Sequence, residues 1–485
     1  MTKRALPCIV AAACAGCAVE PVNPPSIPAE EQYTATPVAE PAAVSDLHGG
    51  NAQRFVQGKD VPAQWWTLFQ SSALDTLVRE ALEANPSLAK ARAKLRQAQE
   101  DLSARTGATR YPTVDAKLSA NRIDVNPQSL GVQQLPIKTP FNLYLASVGV
   151  SYTFDLFGST RHELEAMQSQ IDFQRYELEA ARLMLAGNVV TAAIREASVR
   201  EQIASTEEII SLQERQLAIA DRMEQLGGTA HADVVAQRLE LAQTRAALPE
   251  LQRQLELVRH RLAIYIGKPP GAAQLPTFQL AELQLPSELP LSLPSELARQ
   301  RPDIRAAEAL LQQAGARVGV ATANLYPQIT LSATVGSLAS SAGDLLSSGT
   351  GFYVLGASLA QPIFRGGELQ AKRRSAVAAY EQAGAAYQEV VLQGFQNVAD
   401  VLRALEADAK RLKERADANA QARTYHDIAA ARYQAGGVSF YALLDAQRKL
   451  QATLLDRTQA VADRYTDSAA LFQALGGGWW NEVDK

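Results

Sequence analysis

The sequence predicts a mainly α-helical chain with a small membrane-crossing β part, built from a duplicated half. Three observations carry this reading. Landmark residues recur in the same order at a nearly constant offset, two pairs of segments alternate apolar and polar residues, and the second half holds a proline-free stretch far longer than a globular helix.

The duplication comes first, because it sets every boundary. Asn85-Pro86-Ser87-Leu88 and Arg301-Pro302-Asp303-Ile304 each open an alanine-rich helical stretch, and Arg110-Tyr111-Pro112 and Leu325-Tyr326-Pro327 each close it, about 215 residues apart. Further on, Arg222, Gly227 and Ala236-Gln237-Arg238 recur as Arg432, Gly437 and Ala446-Gln447-Arg448 at an offset of 210. Ile266-Gly267 and Leu475-Gly476 end the last helix of each half with a glycine suited to a C-cap. Each half therefore reads helix, strand, strand, very long helix, tight turn, long helix. The chain divides into a signal (1–16), a tether (17–62), a first repeat (63–270), a linker (271–294), a second repeat (295–478) and a tail (479–485).

Pro112 and Pro327 mark the switch from helix to strand, since the residue before proline is pushed out of the helical region. Val114, Ala116, Leu118 and Ala120 then alternate with Asp115, Lys117, Ser119 and Asn121, and Tyr144 to Phe154 repeats the pattern. In the second half Ile329, Leu331, Ala333 and Val335 alternate with hydroxyl residues and Gly336, and Tyr353 to Leu359 does so more loosely. A soluble sheet covered by helices would show the same alternation. Each segment is also roughly 9–11 residues, the length a tilted strand needs to cross a bilayer. Four such strands cannot close around a lumen, and an open edge in lipid leaves backbone groups unpaired at several kcal/mol each. Copies must then pool strands: two chains would give eight and a filled interior, three would give twelve and a pore, which favours three or more.

Gly366 to Gln434 lacks proline, and at about 1.5 Å per residue such a helix extends roughly 100 Å. Ala376, Ala378, Ala379, Ala383, Ala385 and Ala386 put small side chains on several faces, so neighbours can approach on both sides, as in the wall of a helical tube. A plain antiparallel coiled coil fits the helices but leaves the strands unexplained.

The start, Met1-Thr2-Lys3-Arg4 followed by an apolar stretch to Ala13 and then Ala15-Gly16-Cys17, has the order of an export signal. It resembles a bacterial lipobox with Cys17 as the acylated residue, although Cys14 stands where leucine is usual; an ordinary cleaved signal is the alternative. Pro21, Pro24, Pro25, Pro28, Pro37 and Pro41 suit an extended tether from a membrane surface. Ala18 after the cysteine is similar to lipoproteins sorted to the outer membrane. One acyl chain anchors weakly, so firm attachment needs more.

A net charge of −4 without a basic patch leaves no footprint for nucleic acid. The three cysteines, Cys8, Cys14 and Cys17, leave the rest of the chain without disulfide or thiolate metal chemistry. His48, His162, His231, His260 and His426 have no ligand spacing, and no catalytic motif is present, so neither an enzyme nor a cofactor is expected. The many helix carboxylates read as solvated faces.

Trp65-Trp66 with Phe69, the Leu74 to Leu82 helix ending in Asn85-Pro86, the two Tyr-Pro exits, Phe157-Gly158, Phe364-Arg365-Gly366 and both Gly-to-Ala-Gln-Arg turns resemble, in their order, the outer membrane factors. These are the TolC-like and OprM-like ducts, and the chain is most similar to their lipid-anchored branch serving resistance-nodulation-division pumps. The resemblance implies a homotrimer with a twelve-stranded β-barrel continued by a long α-helical barrel. It also implies a periplasmic membrane-fusion adaptor and an inner-membrane pump as partners, and a lipid-anchored place in the bacterial outer membrane. The turns carrying Arg222, Gly227, Gly228 and Arg432, Gly436, Gly437 would be periplasmic tips that meet the adaptor, unless they are simply turns. Tyr441 and Asp445 match residues that narrow the closed mouth, and Arg448 one that ties helices shut. Alternatively Asp445 and Arg448 form only an exposed helix pair. Three Asp445 carboxylates on one axis would repel, raise each other's pKa and attract cations. Asp445→Ala is expected to widen the mouth or weaken its selectivity, read as single-channel conductance and cation preference.

Overall fold

The computed structural model describes residues 32–42, 49–124 and 140–481. The signal, Cys17, Pro21, Pro24, Pro25, Pro28, His48 and residues 482–485 lie outside the described residues. The chain forms two compact units: one contains Leu95–Gln174 and Ala307–Tyr387, the other the described residues of 26–94 with Arg175–Ala306 and 388–485.

The first unit holds the long strands. β2 (Thr113–Ile123), β3 (Phe141–Phe154), β5 (Gln328–Ala339) and β6 (Gly351–Ala360) form one antiparallel sheet in the order β2-β3-β5-β6. The register aligns the alternation across all four strands. Leu118 faces Ala146, Ala116 faces Val148, Val148 faces Val335 and Val335 faces Tyr353, which makes one apolar face. Lys117 faces Ser147, Ser151 faces Ser332 and Thr330 faces Ser358, which makes the other polar. A slip of one residue would mix the two faces, so the pattern fixes the pairing.

The apolar face is uncovered. Leu118 is 79 % exposed, Tyr353 78 % and Leu355 76 %, whereas a soluble sheet covered by its own helices would bury them. Both outer strands, β2 and β6, keep a free edge in the single chain. Among the described residues no helix is long and apolar enough to cross a membrane.

The second unit contains the turns and most of the length of two helical hairpins, whose long helices begin in the first unit. In the first, α3 (Ser159–Gln225) turns into α4 (His231–Tyr265); in the second, α7 (Glu368–Gln434) turns into α8 (Phe440–Ala474). Each pair has 67 and 35 residues. Short helices precede the strands: α1 (Ser72–Ala84) and α2 (Pro86–Arg110) in one half, α5 (Pro294–Gln300) and α6 (Pro302–Ala323) in the other. Ser71 caps α1 by accepting from the Leu74 N–H, and Asn85 Oδ1 takes the Ser87 N–H where α2 begins at a proline.

The hairpins correct the sequence alignment by one residue. Every hairpin boundary repeats at 209, not 210. Gly227 and Gly436 both take positive φ, and the following N–H groups of Gly228 and Gly437 donate to Met223 O and Arg432 O, each at 2.8 Å. The triads Ala236-Gln237-Arg238 and Ala446-Gln447-Arg448 are thus out of phase. One residue is about 100° of helix rotation, so their like-named side chains point different ways. Burial agrees with 209: Gln237 and Ala446 are both buried, as are Val234 and Leu443.

The tether and linker stretches are not featureless. β1 (Arg54–Gln57) lies parallel to β4 (Glu288–Leu291), joining the N-terminal segment to the linker in a two-stranded sheet. Beside them, Trp65 stacks on Phe472 with centroids 5.5 Å apart and Phe69 meets Tyr465, whose hydroxyl donates to Leu283 O at 2.8 Å. The first residues of the first repeat therefore close on the last helix of the second.

Candidate functional site

The first candidate surface is the polar face of the four-stranded sheet. It presents Asp115, Lys117, Ser119 and Asn121 on β2, Ser147, Ser151 and Thr153 on β3, Thr330, Ser332 and Thr334 on β5 and Ser358 on β6. Hydroxyls bond across it, as between Thr153 and Thr330 at 3.0 Å. Its charges are one acid and one base, both on β2. Such a surface can face water while the opposite one faces hydrocarbon.

The second is the turn end of the hairpins. Ser439 caps α8 with its hydroxyl on the Ala442 N–H, and Phe440, Leu443, Leu444 and Ala446 pack with Ala429 beneath the turn. That small core fixes the outward residues. Tyr441 is 72 % exposed. Asp445 and Arg448 do not pair with each other. Asp445 Oδ2 receives Lys449 Nζ at 2.7 Å and, more distantly, the Tyr425 hydroxyl of α7 at 3.4 Å. Within the single chain, the hydrogen bond and charge of Lys449 hold the Asp445 carboxyl below the usual range.

Arg448 reaches across to the other hairpin, donating from Nε to Glu240 Oε2 of α4 at 2.5 Å. Glu240 is buried, and its carboxylate lifts the Arg448 guanidinium above its ordinary value. Next to it Gln447 donates to Gln216 of α3. Arg448 thus forms a bridge between the two hairpins of one chain. Glu240, Gln216, Lys449 and Tyr425 were not singled out from sequence; Lys449, four residues after an acid on one helix, carried a readable signal.

The two tips differ in surface. On the first, Arg222 donates to Gln225 at 3.3 Å and His231 lies 2.6 Å from Glu224, while Leu226 and Ile219 are exposed. On the second, the Arg432 carbonyl is taken up by Gly437 within the turn, and Gly436 supplies the positive φ. Gly227 and Gly436 have nothing within 4 Å of an added Cβ, so open backbone points outward at both tips.

These features meet their match among known proteins. The family model described as outer membrane efflux protein matches residues 77–268 and 293–477, one stretch for each repeat. The chain belongs to the outer membrane efflux protein family. It is 31 % identical over 421 residues to the pyoverdine export outer membrane protein OpmQ of Pseudomonas aeruginosa, covering 86 % of this chain and 88 % of that protein. Its fold matches the outer-membrane channel OprN with a TM-score of 0.81 and 27 % identity, over 94 % of this chain and 99 % of that one. The outer membrane protein VceC of Vibrio cholerae matches with a TM-score of 0.79 and 27 % identity, over 86 % and 100 %. As an outer membrane efflux protein, the chain resides in the bacterial outer membrane, and its uncovered β face has a hydrocarbon environment to occupy.

Proposed function

We propose that three copies of this efflux protein join their sheets edge to edge, β6 of one against β2 of the next, into a twelve-stranded barrel continued by an α-helical barrel. The duct passively conducts substrates received from an inner-membrane transporter, of the resistance-nodulation-division type, through a periplasmic membrane-fusion adaptor. The uncovered apolar face between two free edges carries this reading, because it is satisfied only when lipid covers the face and other strands cover the edges. Cys17 would hold the acyl anchor, and the tips bearing Arg222, Gly227, Gly228, Arg432, Gly436 and Gly437 would meet the adaptor. Tyr441, Asp445 and Arg448 would shape the periplasmic mouth, with the Arg448–Glu240 bridge restraining it.

The alternative, a periplasmic coiled-coil adaptor or structural protein, fits the hairpins and not the bare sheet. Fractionation with electrophoresis of unheated samples separates the two. A trimer in the outer membrane that dissociates on heating, and that survives heating when cysteines introduced on β2 and β6 cross-link, is the expected result. A chain that stays monomeric in buffer without detergent would overturn the proposal.

A further inference from the structure

Lys449 has no part in the reading above, yet it makes the closest contact to the acid of the mouth. Its Nζ lies 2.7 Å from Asp445 Oδ2 and 5.3 Å from the centre of the Tyr425 ring, and Tyr425 donates to that same Oδ2 at 3.4 Å. The three groups close a triangle between α8 and α7. Acid and base stand four apart with the acid N-terminal, the favourable order on a helix, and the ring adds a cation–π contact. The other nearby charge, Arg448, is turned away to Glu240.

We propose that Lys449 is a selectivity-determining residue of the duct: it pairs with Asp445 against Tyr425, so that the mouth presents alternating charges in place of a bare acidic ring. This rests on the assignment of Asp445 to the mouth. The argument concerns field and not stability. An exposed pair contributes little to folding, with Lys449 60 % and Asp445 37 % exposed, but each cation 2.7 Å from its carboxylate cancels most of the potential a passing ion meets. Beyond a Debye length of about 8 Å in physiological salt the remaining dipole is screened. The strand lining contributes one acid and one base among its described residues, Asp115 and Lys117, so it adds no net charge to obscure the mouth.

The test is the reversal potential of the full-length protein in planar bilayers under a KCl gradient. Wild type is compared with Lys449→Gln, Asp445→Asn and the double variant, each first shown to run as the heat-modifiable oligomer. Lys449→Gln is expected to raise the cation-over-anion permeability ratio several-fold, Asp445→Asn to shift it towards anions, and the double variant to return near wild type. If Asp445→Asn shifts the potential and Lys449→Gln does not, the Lys449 proposal is overturned and the mouth assignment stands. If neither moves it, the mouth assignment falls and takes the proposal with it.

Discussion

The two hairpins share helix lengths, C-terminal cap hydrogen bonds and turn geometry, yet at matched positions they hold different charges. Glu196 of the first hairpin, fully buried, corresponds to fully buried Leu405 of the second. Conversely, buried Asp408 and Arg464 of the second correspond to Val199 and Leu255 of the first. The departures at Glu196 and Arg464 sit where a segment outside the repeat docks. Glu196 accepts from Arg200 at 2.5 Å, Arg259 at 3.1 Å and the Phe278 N–H of the linker at 3.0 Å. Arg464 donates to the carbonyls of Gly49 at 3.0 Å and Asn51 at 2.7 Å in the N-terminal segment, with Gln53 donating to Ser468 alongside. Duplication supplies a backbone with two equivalent docking positions; a buried charge in one copy and an aliphatic residue in the other decides which unique segment each receives.

The largest effect should come from removing the linker's anchor. Glu196→Ala would leave the Arg259 guanidinium and the Phe278 N–H without their carboxylate, a loss of about 3–5 kcal/mol for a broken buried ion pair. Glu196→Leu, which copies the second hairpin, should cost less, because leucine fills the buried volume that alanine leaves empty. Denaturant melts of the detergent-solubilised protein would show the order, and equal losses for both variants would sink the docking explanation. A smaller loss, about 2–3 kcal/mol, is expected for Arg448→Ala, which strands the buried Glu240 carboxylate between hairpins. Glu240→Gln in the same background should recover part of it.

The second hairpin's buried acid should appear as a pH dependence. Burial, then a hydrogen bond with Asp467 and its charge, push the Asp408 carboxyl up to about 8, with Arg411 opposing and Asp463 adding to the rise. The folded state thus keeps a proton that the unfolded chain releases near pH 4. Stability from that proton is complete below the unfolded value and is lost as pH rises through about 8. Midpoints of wild type should fall between about pH 4 and 8, and Asp408→Asn should flatten that slope. The first hairpin, with Val199 at the matched site, has no counterpart to contribute.

The sequence made the strands readable because lipid on one side and water on the other enforce strict alternation, and the Tyr-Pro exits mark where they begin. It made the hairpins readable through length and the absence of proline. Buried charge was not readable: Glu196, Glu240 and Asp408 look like any solvated helix carboxylate, since helices packed on several sides leave no continuous apolar stripe to show which positions face inward. β1 and β4, at four residues each, are too short to show a period. At the second tip, Asp445 and Arg448 were found by resemblance and Lys449 was readable from its i,i+4 spacing, while Glu240, 208 residues from Arg448, required coordinates.

The smallest effects give the sharpest check on how the hairpins correspond. Alanine at Gly227 or Gly436 forces a Cβ into left-handed backbone, at about 1–2 kcal/mol. At Gly228 and Gly437 the φ is ordinary and an added Cβ would meet the Met223 and Arg432 carbonyls at 3.4 and 3.5 Å, plain van der Waals contact. The offset of 209 therefore pairs Gly227 with Gly436 as sensitive and Gly228 with Gly437 as tolerant, whereas 210 would pair Gly227 with Gly437. Hydrogen exchange at the two turns should open equally in Gly227→Ala and Gly436→Ala and change little in the other two. Sensitivity at Gly437 matching that at Gly227 would restore the offset of 210. It would also put Arg238 and Arg448 at equivalent positions, so that Arg238, which pairs with Asp221 at 2.9 Å, would become the counterpart of the residue that bridges the hairpins.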